Sequence, residues 1–131
     1  MKRLLLINAC FIFCFFGAIQ AQVPQSERDA LEQFYIETNG DFWEENTNWN
    51  TDEPVSTWYG ITVENIAGQD HVTGITFEYG NSLYSESFPL SILNLLELKT
   101  FFIQSASITG EIPSNIGDLQ NLEVFVINFM N

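Results

Sequence analysis

Cysteine is almost missing from this sequence. Cys10 and Cys14 are the only two among 131 residues, and both precede residue 22. From residue 22 onward the chain can therefore form no disulfide, no thiolate metal site and no cysteine nucleophile. The stability of that part has to come from packing.

Histidine is equally scarce, because His71 is the only one. We expect His71 to begin a hairpin strand rather than to serve a catalytic triad or a two-histidine metal site. The carboxylate pairs Glu44–Glu45 and Asp52–Glu53 lie among tryptophans, and glycosidases use two carboxylates. Adjacent carboxylates point apart, however, so a solvated loop is the favoured interpretation. We predict no catalytic residue, no metal, no cofactor and no enzymatic activity.

Basic residues are few, with four Lys and Arg against 17 Asp and Glu. Lys2 and Arg3 lie at the extreme N-terminus, so Arg28 and Lys99 alone remain after residue 21, where the net charge is −15. Such a surface repels phosphate backbones and anionic lipids, which excludes nucleic acid as a partner. Solubility outside the cell is the favoured explanation of this acidity, and binding of a specific cationic partner is the alternative.

A long apolar stretch occurs only at the N-terminus. Two basic residues precede an apolar run over residues 4–16, and small residues follow it at Gly17, Ala18 and Ala21. The run is shorter than the roughly 20 residues of a spanning helix. We predict a secretory signal peptide over residues 1–21 and a secreted or cell-surface protein. An uncleaved anchor is the alternative, and we expect no membrane insertion of the later residues.

The strongest pattern is an internal repeat with a period of 24 residues. Seven apolar or proline positions recur in one register: Phe88, Pro89, Ile92, Leu95, Leu98, Phe101 and Ile103, then Ile112, Pro113, Ile116, Leu119, Leu122, Phe125 and Ile127. The spacing predicts a turn that leads into a strand whose alternate residues point into a core. Pro89 and Pro113 bar a continuing α-helix and favour a short extended or 3₁₀ return.

These units resemble the leucine-rich-repeat family, in its plant-type subclass. The specific part is GEIP at residues 110–113, followed by Ile116, Gly117 and Leu119. The resemblance implies an α/β fold, a right-handed solenoid with a concave parallel sheet that binds proteins, peptides or glycans. Ala106 and Met130 replace the family's asparagines, which bond buried backbone, so we expect looser turns there.

The region before the repeats resembles the N-terminal capping module of secreted bacterial members. A helix opened by Ser26 and Asp29 and stopped by Asn39 and Gly40 precedes Trp-rich loops and a β-hairpin. We assign residues 22–71 to this cap. Residues 72–131 are assigned to about two repeats and an incomplete third, and the lack of a terminal cap predicts a fragment of a longer protein.

The register of the first repeat has two solutions. The family pattern points Ile75 and Phe77 inward, whereas the strict 24-residue frame selects Phe77 and Tyr79. We adopt the family register, which needs a two-residue insertion within Gly80–Ser87.

The candidate ligand-binding residues are those that alternate with the inward positions and so project onto the concave face. They are Thr76, Glu78, Thr100, Phe102, Gln104, Val124, Val126 and Asn128. Phe102, Val124 and Val126 would form an exposed apolar stripe typical of a binding surface, although strand propensity alone is an equal explanation.

Three functions follow from these observations. The favoured one is an extracellular interaction module that binds a protein or peptide. The second is a carbohydrate-binding cap, in which Trp43 and Trp49 stack on sugars. The third is the sensor part of a larger receptor or enzyme.

Overall fold

The computed structural model describes residues 22–78 and 81–129. The predicted signal peptide lies outside the described residues, as do Tyr79 and Met130. One α-helix and five strands make up the described part: α1 Gln25–Glu37, β1 Ile61–Ile66, β2 Gln69–Phe77, β3 Tyr84–Ser85, β4 Thr100–Ile108 and β5 Val124–Phe129. The fold is therefore α/β, with one helix and a sheet whose pairings are mainly parallel.

Helix α1 begins differently from the prediction. Pro24 occupies the N-cap position, and no side chain caps the first turn, so the predicted capping role of Ser26 is wrong. Proline suits a helix start because its φ is fixed near the helical value and it has no N–H to satisfy. Asp29 instead accepts a hydrogen bond of 2.7 Å from the Gln25 side chain. The predicted stop is confirmed, since α1 ends at Glu37 and Asn39 has a positive φ of 56°.

Strands β1 and β2 form the predicted antiparallel hairpin. Their pairing ends at Ile66 and Gln69, so the turn consists of Ala67 and Gly68 alone. Both turn residues have positive φ, as the tight turns that suit the twist of a hairpin require. His71 lies within β2, close to its start.

Strands β2, β4 and β5 run parallel. Ile75 of β2 pairs with Phe101 of β4, and Phe77 pairs with Ile103. Phe101 and Ile103 pair in turn with Phe125 and Ile127 of β5. The family register of the first repeat is thereby confirmed. Phe77 and Tyr84 are seven positions apart, whereas their partners Ile103 and Ser107 are four apart, so the extra residues lie between Phe77 and Tyr84.

Of the two predicted forms of the return segment, extended or 3₁₀, the structure has the 3₁₀ form. Pro89 precedes a 3₁₀ helix at Leu90–Asn94, and Pro113 precedes another at Ser114–Asp118. Between Ile103 and Ala106 the β4–β5 register is interrupted, and Ser105 has a positive φ of 57°. Ala106 itself lies inside β4, pairs with Phe129 and is fully buried, so the looser turn expected there stays a prediction.

One core joins the helix, the hairpin and the repeated units. The inward side chains of β2 and β4, Ile75, Phe77, Phe101 and Ile103, are fully buried, and so are Leu31 and Phe34 of α1. The predicted boundary between residues 71 and 72 falls inside β2, which pairs with β1 on one side and β4 on the other. That single strand joins the hairpin to the parallel part of the sheet.

Candidate ligand-binding face of the sheet

The side of the sheet away from the core carries the predicted site residues. Since side chains alternate along a strand, the residues between the buried positions point to this outer face. Its members are Thr62, Gly74, Thr76, Glu78, Thr100, Phe102, Gln104, Val124, Val126 and Asn128. The strand register places Thr76, Phe102 and Val126 side by side, and Gly74, Thr100 and Val124 in the row beside them.

An apolar strip lies on β4 and β5 of this outer face. It consists of Phe102, its register neighbour Val126, and Val124. Val124 is 39% exposed, whereas Phe102 and Val126 are half-buried. Phe102 is therefore less exposed than the sequence predicted. Thr76 and Thr100 lie beside the strip on β2 and β4, and Gln104 is half-buried farther along β4.

Sequence reasoning missed the contribution of the hairpin to the outer face. A Cβ atom on Gly74 would lie 3.0 Å from the Thr62 Cβ and 3.9 Å from that of Thr100. The Thr62 side chain therefore crosses over Gly74 and extends the outer face onto β1. A glycine inside a strand often marks such a close approach, which was the available signal.

The outer face is charged where β4 and β5 begin. Lys99 Nζ donates a hydrogen bond to Glu64 across β2. The Lys99 backbone carbonyl accepts from the N–H groups of Glu123 (2.8 Å) and Val124 (2.9 Å). The hydrogen bond to Glu64 raises the pKa of Lys99. Desolvation opposes this rise, and the charges of Glu64, Glu123 and Glu97 add to it. We call Glu64, Glu97 and Glu123 the acidic end of the face.

The tryptophans of the cap are core residues. Trp43, Trp49 and Trp58 are only 6%, 4% and 2% exposed. Each indole N–H donates to a backbone carbonyl, of Thr38, Tyr59 and Glu53 respectively, at 2.8–3.1 Å. Trp43 and Trp49 pack among other aromatic rings and are almost fully buried, so the exposed ring face that sugar stacking would need is not present.

The carboxylates among these tryptophans bond in different directions. Glu44 accepts a hydrogen bond from Ser82 at 3.0 Å. Glu45 accepts from the backbone N–H and hydroxyl of Thr47, and the side-chain bond most strongly lowers the pKa of this exposed carboxylate. Separate partners are what a solvated loop predicts, whereas a catalytic pair would face one site.

His71 takes part in a structural link. Its Nδ1 lies 2.6 Å from Glu27 Oε1, and Glu27 Oε2 accepts the Val72 backbone N–H at 2.7 Å. Residues 22–78 and 81–129 contain no group of three or more His, Cys, Asp or Glu that could hold a metal ion. Within the same residues, no helix is both long enough and apolar enough to cross a membrane.

Comparison with known proteins finds similarity in structure alone. No protein-family profile matches the sequence, and curated proteins yield no match. The leucine-rich-repeat ectodomain of the receptor kinase SOBIR1 from Arabidopsis thaliana superposes with a TM-score of 0.63 and 19% identity, over 83% of this chain and 56% of that one. A plant ice-binding protein superposes with a TM-score of 0.66 and 15% identity, over 79% of this chain and 32% of that one.

At such identities the likeness concerns the fold. The chain has a leucine-rich-repeat-like fold, and it spans about half the length of the SOBIR1 ectodomain.

Proposed function

We propose that this chain belongs to a secreted or surface-displayed leucine-rich-repeat protein whose outer sheet face binds a protein or peptide. In this proposal the parallel strands continue a solenoid, and the chain has no enzymatic activity of its own. The observation that carries it is the apolar strip of Phe102, Val124 and Val126 on the side of the sheet away from the core.

The position of the strip favours binding over strand propensity as its cause. Propensity alone would scatter apolar side chains over the outer face, whereas here two neighbouring strands place them side by side. Apolar side chains that lie side by side and stay partly exposed, as Val124 does at 39%, commonly mark a contact site. Threonines on the same face offer hydroxyl groups that can hydrogen-bond to a partner backbone.

The extracellular location rests on two separate features. Residues 1–21 have the composition of a secretory signal peptide. The similar SOBIR1 structure is described as the ectodomain of a receptor kinase. The same outer face would serve a free module and the sensor part of a larger receptor alike.

The test is a selection of displayed random peptides on the purified protein, followed by calorimetric titration of the peptides obtained. Val126→Asn replaces an apolar group by a polar one of similar size, and we expect it to weaken binding about tenfold or more, a hot-spot effect. Leu90→Asn is the matched control, because Leu90 is 55% exposed on the 3₁₀ return rather than on the sheet. Peptides that bind both variants as they bind the wild type would refute a role for the outer face.

A further inference from the structure

We propose that the outer face recognises a cationic, extended segment of its protein partner, in which Lys or Arg side chains lie beside an apolar anchor. This inference rests on the proposed function and adds the chemistry of the partner. It follows from the placement of charge around the apolar strip, not from the acidity of the chain as a whole.

The cations of the described residues are both already engaged. Arg28 forms an ion pair with Glu32 at 3.2 Å, donates to the carbonyl oxygens of Glu53 and Thr51, and lies 5.0 Å from the centre of the Trp58 ring. Lys99 is paired with Glu64. All 17 acidic residues of the chain lie within the described ranges. An anionic segment would therefore find no free cation there.

The acidic end adjoins the apolar strip directly. Glu123 immediately precedes Val124, and its backbone N–H bonds to Lys99, the residue before Thr100. Lys99 pairs with Glu64, whereas Glu97 and Glu123, whose charges also reach the Lys99 ammonium, have no cationic partner among the described residues. One cation thus leaves two negative charges uncompensated, and a second ammonium or guanidinium group beside the strip would be attracted.

A further carboxylate lies at the opposite end of the outer face. Glu78 directly follows Phe77, the last residue of β2, and is exposed. The apolar strip is therefore flanked by negative charge along the strand direction. An extended segment lying along β4 with an apolar side chain on the strip would bring its neighbouring side chains towards these carboxylates.

A bare metal cation fits less well than a basic side chain. The acidic end is not among groups of three or more ligands able to hold a metal ion, since the described ranges contain none. Glu97 also accepts a hydrogen bond of 3.0 Å from Asn121, so one of its oxygens is already engaged. A lysine or arginine needs no shared centre, and its methylene groups can cover the apolar strip.

Three synthetic peptides of equal length test the inference. They share Val and Phe at alternate positions and carry Lys, Gln or Glu between them. Titration of the purified protein should give at least tenfold tighter binding of the Lys peptide than of the Gln peptide, and no binding of the Glu peptide. Going from about 20 to about 200 mM NaCl should shrink the advantage of the Lys peptide, because salt screens exposed charges.

Charge-matched variants distinguish local recognition from general attraction. Glu123→Gln and Glu78→Gln should each weaken binding of the Lys peptide about threefold to tenfold and leave binding of the Gln peptide unchanged. Asp118→Asn removes the same charge from the 3₁₀ return, and it should change neither. An equal loss in Asp118→Asn would overturn the inference, because it would mean that net charge alone attracts the peptide.

The failure of this inference is distinguishable from failure of the proposed function. If the Lys and Gln peptides bind equally and Val126→Asn weakens both, the outer face is a binding site without a cationic preference. If the Lys peptide does not bind at all, the cationic preference is refuted. Selection of random peptides then decides the proposed function separately.

Discussion

Gly40 illustrates how one residue allows the aromatic part of the core to close. A Cβ atom at this position would lie 2.1 Å from the Tyr35 ring, which packs edge-on against Trp43 and stacks with Trp49. Gly40→Ala should therefore force the ring to move and lower the free energy of unfolding by about 1–3 kcal/mol. Gly117→Ala is the control, because a Cβ there meets nothing within 4 Å. Urea unfolding of both variants checks this, and similar stabilities would contradict it.

Tyr35 also predicts a pH dependence. Burial raises the pKa of its hydroxyl above the ordinary value of 10.0, and the hydrogen bond to Asp41 raises it further. Below pH 10 the hydroxyl is protonated in both states, so its contribution is complete. Above that pH the unfolded chain ionises first, and stability falls as the pH rises towards the folded pKa.

Tyr35→Phe removes the hydrogen bond to Asp41, so the free energy of unfolding near pH 7 should fall by about 1 kcal/mol. It should also flatten the loss of stability above pH 10, because phenylalanine does not ionise. Urea unfolding at several pH values between 7 and 11 measures both effects. An unchanged alkaline slope would show that other groups cause it.

At the scale of elements, Glu27 connects α1 to the hairpin. Its carboxylate is 6% exposed and accepts from the Val72 N–H while lying against His71. Glu27→Gln removes the charge and one acceptor, so the Val72 N–H or the His71 ring loses its partner. We expect a loss of about 1–3 kcal/mol in the free energy of unfolding.

Hydrogen exchange gives a local readout of this link. In Glu27→Gln the Val72 amide should exchange faster than in the wild type, beyond the change expected from lower global stability. Asp29 lies on the same helix and is exposed. As the control, Asp29→Asn should change the free energy of unfolding by no more than about 0.5 kcal/mol. If Val72 exchanges equally in all three proteins, the link does not hold the hairpin.

The sequence predicted the elements whose pattern is local or repeated. The 24-residue period gave strands β4 and β5 and their return segments, because each unit has the same inward positions. The hairpin followed from alternation around Gly68. The capping of α1 was wrong because Ser26 and Asp29 matched a motif by spacing, while Pro24 had already fixed the start of the helix.

The candidate site was predicted only in part. Alternation identified which residues of β2, β4 and β5 leave the core, since the period of a strand is local information. The crossing of Thr62 over Gly74 and the meeting of Glu64 with Lys99 depend on contacts between distant residues. The burial of the three tryptophans also came from tertiary packing, and it removed the expected surface for sugar stacking.

At the scale of the whole molecule, the net charge of −15 after residue 21 predicts a salt response. Arg28 and Lys99 each pair with one carboxylate, so most carboxylates of the described part have no cationic partner to offset their mutual repulsion. From about 10 to about 100 mM NaCl the screening length falls from about 30 to about 10 Å. We expect the free energy of unfolding to rise by on the order of 1 kcal/mol, because screening weakens repulsion within the compact state.

The same screening should weaken binding of the Lys peptide, whose attraction to the outer face is also electrostatic. Stability and affinity must therefore change in opposite directions over one salt titration, which an indirect effect of unfolding could not produce. The double variant Glu44→Gln with Glu53→Gln, both outside the outer face, should reduce the stability response and leave the affinity response in place. A melting temperature that falls with added salt would mean that attractive ion pairs outweigh repulsion, contrary to the charge distribution described above.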